Sequence, residues 1–143
     1  MIDHSPLIAL INRQQQQLEL LLSLLQAEFE AISIRDINRL EQNCSDKMQL
    51  IEQIQQLDEE IAAWPALSQV KTAAEVQAAI AATDEILARC KQQNELNQVT
   101  LEQSQLILSR FKDELLKSRG KSGLTYTAKG KPAIDAIGKG IKA

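Results

Sequence analysis

The sequence predicts an all-α protein: an elongated, antiparallel three-helix coiled-coil-like bundle with a long third helix and a flexible C-terminal tail. Three observations carry that expectation. All five glycines lie at or after Gly120, and only Pro6 and Pro65 interrupt the residues before it. Glycine costs roughly 1 kcal/mol and proline about 3 kcal/mol inside a helix, so this body is free to run as long helices. From Val76 to Leu115 a seam repeats in unbroken steps of three and four residues, the spacing of coiled-coil packing. Charge also changes sign at the glycine boundary. Residues 1–118 carry 10 Lys/Arg against 18 Asp/Glu, whereas residues 119–143 carry six basic residues and Asp135 alone as an acid. The expected division is a helical bundle over 1–119 and a basic, glycine-containing tail over 120–143.

The first helix is expected over about 5–32, opened by Ser5 as N-cap and Pro6 at the first helical position. Ile11, Leu18, Leu22, Leu25, Phe29 and Ile32 form its apolar stripe, with the glutamine run 14–17 as a solvated face. Ser33-Ile34-Arg35-Asp36 resembles a capping box flanked by Ile32 and Ile37 as a hydrophobic staple, which predicts a reversal near Ser33. The second helix, about 34–64, carries Ile37, Leu40, Cys44, Ile51, Ile54 and Ile61 on one seam, widened by Leu50, Leu57 and Trp64. It ends at Trp64-Pro65, because the residue before proline disfavours the helical region. A loop over 65–71 leads to Thr72-Ala73-Ala74-Glu75, a second capping box, and to a third helix over about 73–119.

Length then becomes informative. At about 1.5 Å per residue the first two helices span roughly 45 Å and the third roughly 65–70 Å. Either the third bends, or about a third of its apolar seam lacks an intramolecular partner. Monomers rarely leave large apolar patches unused. The uncovered part is therefore a binding surface for another protein or an interface between copies.

Chemistry finds little footing. His4 is the only histidine and lies near a terminus. No phosphate-binding glycine loop is present, and the tail glycines fit neither the dinucleotide nor the P-loop spacing. The acids are spread along solvent faces rather than converging as metal ligands, and Asp58-Glu59-Glu60 suits a wet helix face. We expect no enzyme, no metal and no cofactor. Cys44 and Cys90 fall on seams and suit buried thiols in a reducing cytoplasm rather than a disulfide framework. No apolar run approaches the roughly 20 residues that cross a bilayer, and no signal peptide opens the chain, so a cytoplasmic protein without membrane insertion is expected.

Asn94, Asn97 and Ser104 are polar residues on the apolar seam. They either hold the register of the bundle or meet a partner that supplies hydrogen bonds. The dispersed tail lysines at 121, 129, 131, 139 and 142 are a weak basis for nucleic-acid binding and suit contact with the acidic body equally well. Ile134, Ile137 and Ile141 recur at helical spacing, so Ala133–Ala143 is able to form a short amphipathic segment that Gly138 and Gly140 leave unstable alone.

A longer pattern joins these features. It runs from Leu21, Leu22, Leu25 and Glu28 through Asp36, Leu40, Lys47, Leu50, Ile51, Ile54 and Leu57, to Leu87, Asn94, Asn97 and Leu101. It closes with Leu124-Thr125-Tyr126-Thr127-Ala128-Lys129-Gly130. Over roughly residues 15–131 the chain resembles the FlgN family of flagellar type III export chaperones. The Asn94/Asn97 pair followed by Leu-Thr-Tyr and a glycine is the specific part of the match. The residues after Pro132 have no counterpart in the pattern.

The resemblance implies a non-enzymatic role: binding hook-associated (hook–filament junction) proteins in the cytoplasm, shielding their terminal helices and delivering them to the export gate. An unfinished seam accepts an amphipathic client helix, which points to Leu101, Leu108, Phe111 and Leu115 as anchors. The resemblance further implies that Tyr126, with Leu124, docks on the gate protein; a tyrosine packed back on the body is the other reading. The alternative to the chaperone is a structural coiled-coil adaptor that self-associates through the third helix.

Overall fold

In the computed structural model, residues 3–118 are described. Three long helices dominate: α1 (Ser5–Ile34), α2 (Ile37–Ala62) and α4 (Ala74–Ser118), with a one-turn helix α3 (Leu67–Val70) in the α2–α4 connection. The expected tail over 120–143 lies outside the described residues.

The pairings fix the topology. Gln14 reaches Asp58, Asn43 reaches Leu24 and Lys47 reaches Glu28, so α2 runs antiparallel to α1. His4 meets Glu75, Leu18 meets Cys90 and Leu25 meets Asn97 at sequence separations of 71, 72 and 72. A separation that stays constant along both chains means that α1 and α4 run parallel and in register. The backbone of α1 comes close to those of both α2 and α4, which lie further from each other. The core is a single interior between the three long helices, to which α1, α2 and α4 all contribute. Its upper part joins Ala31, Ile32, Leu40 and Leu101, its middle Leu18, Leu21, Leu25, Leu50 and Cys90. At the far end Val70 of α3 closes over Leu7, Ile11 and Val76.

Local chemistry departs from expectation at the element ends. The cap of α1 is His4, and Asp3 Oδ1 accepts from the Ser5 N–H at 3.0 Å, which holds the Asp3 carboxyl below its ordinary value. Ser33 caps nothing: it lies inside α1 and its hydroxyl donates to Phe29 O at 2.9 Å. The reversal comes two residues later. Arg35 adopts φ 57°, ψ 42°, its N–H bonds to Ile32 O, and the Asp36 N–H bonds to Ala31 O, the pair of bonds that ends a helix on a left-handed residue. Asp36 then caps α2 by accepting from the Arg39 N–H at 3.2 Å. Ile32 is buried and Ile37 exposed, so the expected staple does not form. Replacing Asp36 with alanine should cost about 1 kcal/mol, the usual loss for an N-cap side chain, read from the midpoint of urea unfolding.

The second seam is rotated from the expected one. Its buried centre is Leu40, Asn43, Lys47, Leu50 and Leu57, with Ile54 and Ile61 at its flank and Ile37 outside it. Two polar residues occupy core positions that an apolar pattern passes over. The second capping box is also absent: Thr72 Oγ1 donates to Gln69 O, and Glu75 Oε2 lies 3.0 Å from His4 Nε2. The glutamine run is mostly half-buried, with Gln14 donating to Asp58.

Candidate functional site

The constant register between α1 and α4 decides where cover ends. Carrying the 72-residue separation to Ile34, the last residue of α1, places its counterpart at Leu106. Helix α4 continues to Ser118, so its last dozen residues, about 18 Å, stand beyond the end of α1. Along this overhang Leu108, Phe111 and Leu115 prolong the stripe that faces α1 at Cys90, Asn97 and Leu101. Leu108 is 41% and Phe111 62% exposed, while Leu115 is half-buried. At the foot of the overhang the α1–α2 corner exposes Ile34 and Ile37. By register Ile34 lies level with Leu106, so the corner stands at the foot of the wall, and the two are termed the apolar step.

Leu101 does not belong to this surface. It is 6% exposed and packed among Ala31, Ile32 and Leu40. As an anchor for another protein it is corrected: α1 and α2 already cover it. Leu106, level with the end of α1, and Ile107, the first overhang residue, are both more than half exposed and lie off the single stripe. Leu96 and Val99 are also exposed, on the outer side of α4 below the overhang. Leu96 and Val99 are three residues apart and Leu106 follows seven further on, with Gln103 between, a helical but interrupted spacing open to the same search.

Below the step lies a buried polar network that spans all three long helices. Lys47 Nζ of α2 donates to Glu28 Oε2 of α1 at 2.8 Å, with the two side chains 0% and 2% exposed. Asn97 Nδ2 of α4 donates to Glu28 Oε1 at 2.9 Å and to Leu25 O at 2.7 Å, and Asn97 Oδ1 accepts from Gln93 Nε2 at 2.9 Å. Every hydrogen-bonding atom of the Asn97 amide is thus engaged within the molecule. Of the two readings for a seam asparagine, register control is the one its bonds support. Asn94 is half-buried beside it. Asn43 Nδ2 adds a bond to Leu24 O at 2.9 Å.

Cys90 is buried, and its thiol donates to Leu18 O at 3.3 Å. Burial pushes that thiol above its ordinary range, with Arg89 pulling weakly the other way, so it behaves as a small core group. Among the described residues no cluster of three or more His, Cys, Asp or Glu could hold a metal, and no helix is long and apolar enough to cross a membrane. A shallow groove of about 340 Å³ between α1 and α2 is lined by Leu20, Leu24, Leu50 and Asp46. Leu124 and Tyr126 lie outside the described residues.

A family model described as FlgN protein matches residues 1–134 of the chain. No curated protein and no solved structure matches it at a significant level.

Proposed function

Because the chain belongs to the FlgN family of flagellar export chaperones, we propose that it binds hook-associated proteins in the cytoplasm and hands them to the flagellar type III export gate. It does so without catalysis or a cofactor. The observation that carries this reading is the exposed step at the top of the bundle. The core seam of α4 runs past the end of α1 and leaves Leu108, Phe111 and Leu115 without the helix that covers their equivalents below. An amphipathic helix laid into that step meets the same knobs that α1 meets further down, with side chains at successive i, i+3, i+4 and i+7 positions as its natural complement. Terminal helices of an unassembled junction protein have that character. The bundle beneath is held in register by buried bonds, so the surface exists before the client arrives.

The test is direct. Co-expressed with candidate junction proteins, the chain should co-purify with one of them as a stable complex through that partner's terminal helical region. Failure with every junction protein would sink the assignment. Light scattering on the free protein addresses the adaptor alternative: a dimer that dissociates on Leu108→Asp would give the seam to a second copy instead.

Gate docking is proposed for the Leu124–Tyr126 stretch. Tyr126→Ala should leave client affinity unchanged and weaken binding to the cytoplasmic part of the gate protein by at least about tenfold, the loss expected for a central aromatic anchor. Pull-down of both partners in parallel reads the difference, and equal loss of both would contradict this division of labour.

A further inference from the structure

We propose that, before any client binds, the apolar step is occupied by the chain's own C-terminal segment, Ala133–Ala143. The step needs cover. It presents Leu108, Phe111 and Leu115 on the wall and Ile34 and Ile37 at the corner, and such an apolar surface on a monomer is ordinarily put to use. The described structure ends at Ser118, the tip of the wall itself. From there residues 119–132 lead to Ala133. Fully extended, that stretch reaches about 45 Å, far more than the roughly 18 Å back to the foot of the step.

The segment has the chemistry of a short helix lacking only a surface to form on. Pro132 stands where a first turn tolerates proline, Asp135 falls in that first turn, and Lys142 falls in the last. Ile134, Ile137 and Ile141 share one face, and Gly138 lies on that face too, where the missing side chain permits close approach. As a helix, eleven residues span about 16 Å, matching the height of the wall. Gly138 and Gly140 make the helix unstable in isolation, so packing must supply its stability. Charge neither drives nor opposes the contact: the overhang 107–118 carries Arg110, Lys112 and Lys117 against Asp113 and Glu114, and the segment Lys139 and Lys142 against Asp135, so the apolar faces decide it. The family match stops at residue 134, near the start of this segment.

That a client must displace the segment rests on the chaperone reading; the occupancy does not. Full-length protein and the full-length double variant Ile137→Asp/Ile141→Asp should be compared by amide NMR without any client. Both substitutions lie outside the bundle, so folding is preserved. Signals of Ile34, Ile37, Leu108, Phe111 and Leu115 should shift between the two proteins, and the shifts should persist on dilution. Superimposable signals at those residues would overturn the proposal. So would differences that vanish on dilution, which would mean that the segment reaches a second copy. Titration with a synthetic terminal-helix peptide of a hook-associated protein then reads displacement. The variant should bind about two- to tenfold more tightly, because its step is always vacant. Equal affinity would overturn the displacement. Absence of peptide binding to either protein would count against the chaperone reading and leave the spectra to decide occupancy.

Discussion

Lys47→Ala should destabilise the bundle by about 3–5 kcal/mol, which is much of the roughly 5–15 kcal/mol that holds a domain of this size. The reason is asymmetry. The Lys47 ammonium and Glu28 carboxylate are 2.8 Å apart and almost wholly removed from water. Deleting the lysine leaves an anion buried without its cation, and Asn97 alone cannot offset the lost hydration. An exposed pair of the same geometry would contribute at most about 1 kcal/mol. Urea unfolding followed by far-UV circular dichroism measures the difference; a cost below about 1 kcal/mol would mean that water reaches the pair. The companion variant Glu28→Met/Lys47→Met should recover most of the loss, since well-packed apolar groups often replace a buried ion pair at little cost. Together the two variants separate the penalty of an orphaned charge from the net worth of the pair.

The second large effect is on binding. Leu108→Asp/Phe111→Asp should lower affinity for the terminal helical region of the client by at least about 100-fold, as expected when two central apolar anchors become charged. The thermal midpoint of the free protein should hardly move, because both side chains are already exposed. Leu101→Asp must behave in the opposite way. It buries a charge among Ala31, Ile32 and Leu40 and should unfold the upper bundle before binding can be assessed. Calorimetric titration alongside thermal unfolding distinguishes the two classes. Wild-type affinity in the Leu108/Phe111 variant would remove the overhang from the client surface.

The contrast between Leu101 and Leu108 shows what the sequence could and could not reveal. Both are leucines on one stripe of one helix, seven residues apart. Periodicity identified the stripe because α4 keeps a strict three-and-four spacing. Whether a given leucine is covered depends on where a different helix ends and on the register between the two, and no local pattern encodes either. Counting helix lengths left open a bent α4 or one partly uncovered, and it took the 72-residue separation to place an edge near Leu106. The second helix failed for another reason. Asn43 and Lys47 are polar, so a search for apolar periodicity passes over them and draws the seam through Cys44 and Ile51 beside them. A charged residue at a core position makes sense only with its partner, and Glu28 lies 19 residues away on another helix. Likewise Ser33 looked like a cap, yet hydroxyls also bond back into the preceding turn, and the choice fell to Arg35 taking a left-handed conformation that non-glycine residues usually avoid.

The network at Glu28, Lys47 and Asn97 lies only a few turns below the step, and mechanics gives that position a consequence. A rod clamped at one end deflects under a sideways load by an amount that grows as the cube of its free length. Here the clamp is the locked stretch of α4 from Asn97 to Leu101, and the free beam is the short run beyond Leu106. The free length is set by where α1 ends, and the lock just below that point holds the base of α4 against rocking. Placed where it is, the lock stiffens the cantilever, so whatever grips Phe111 meets an edge already aligned with the bundle and need order only itself.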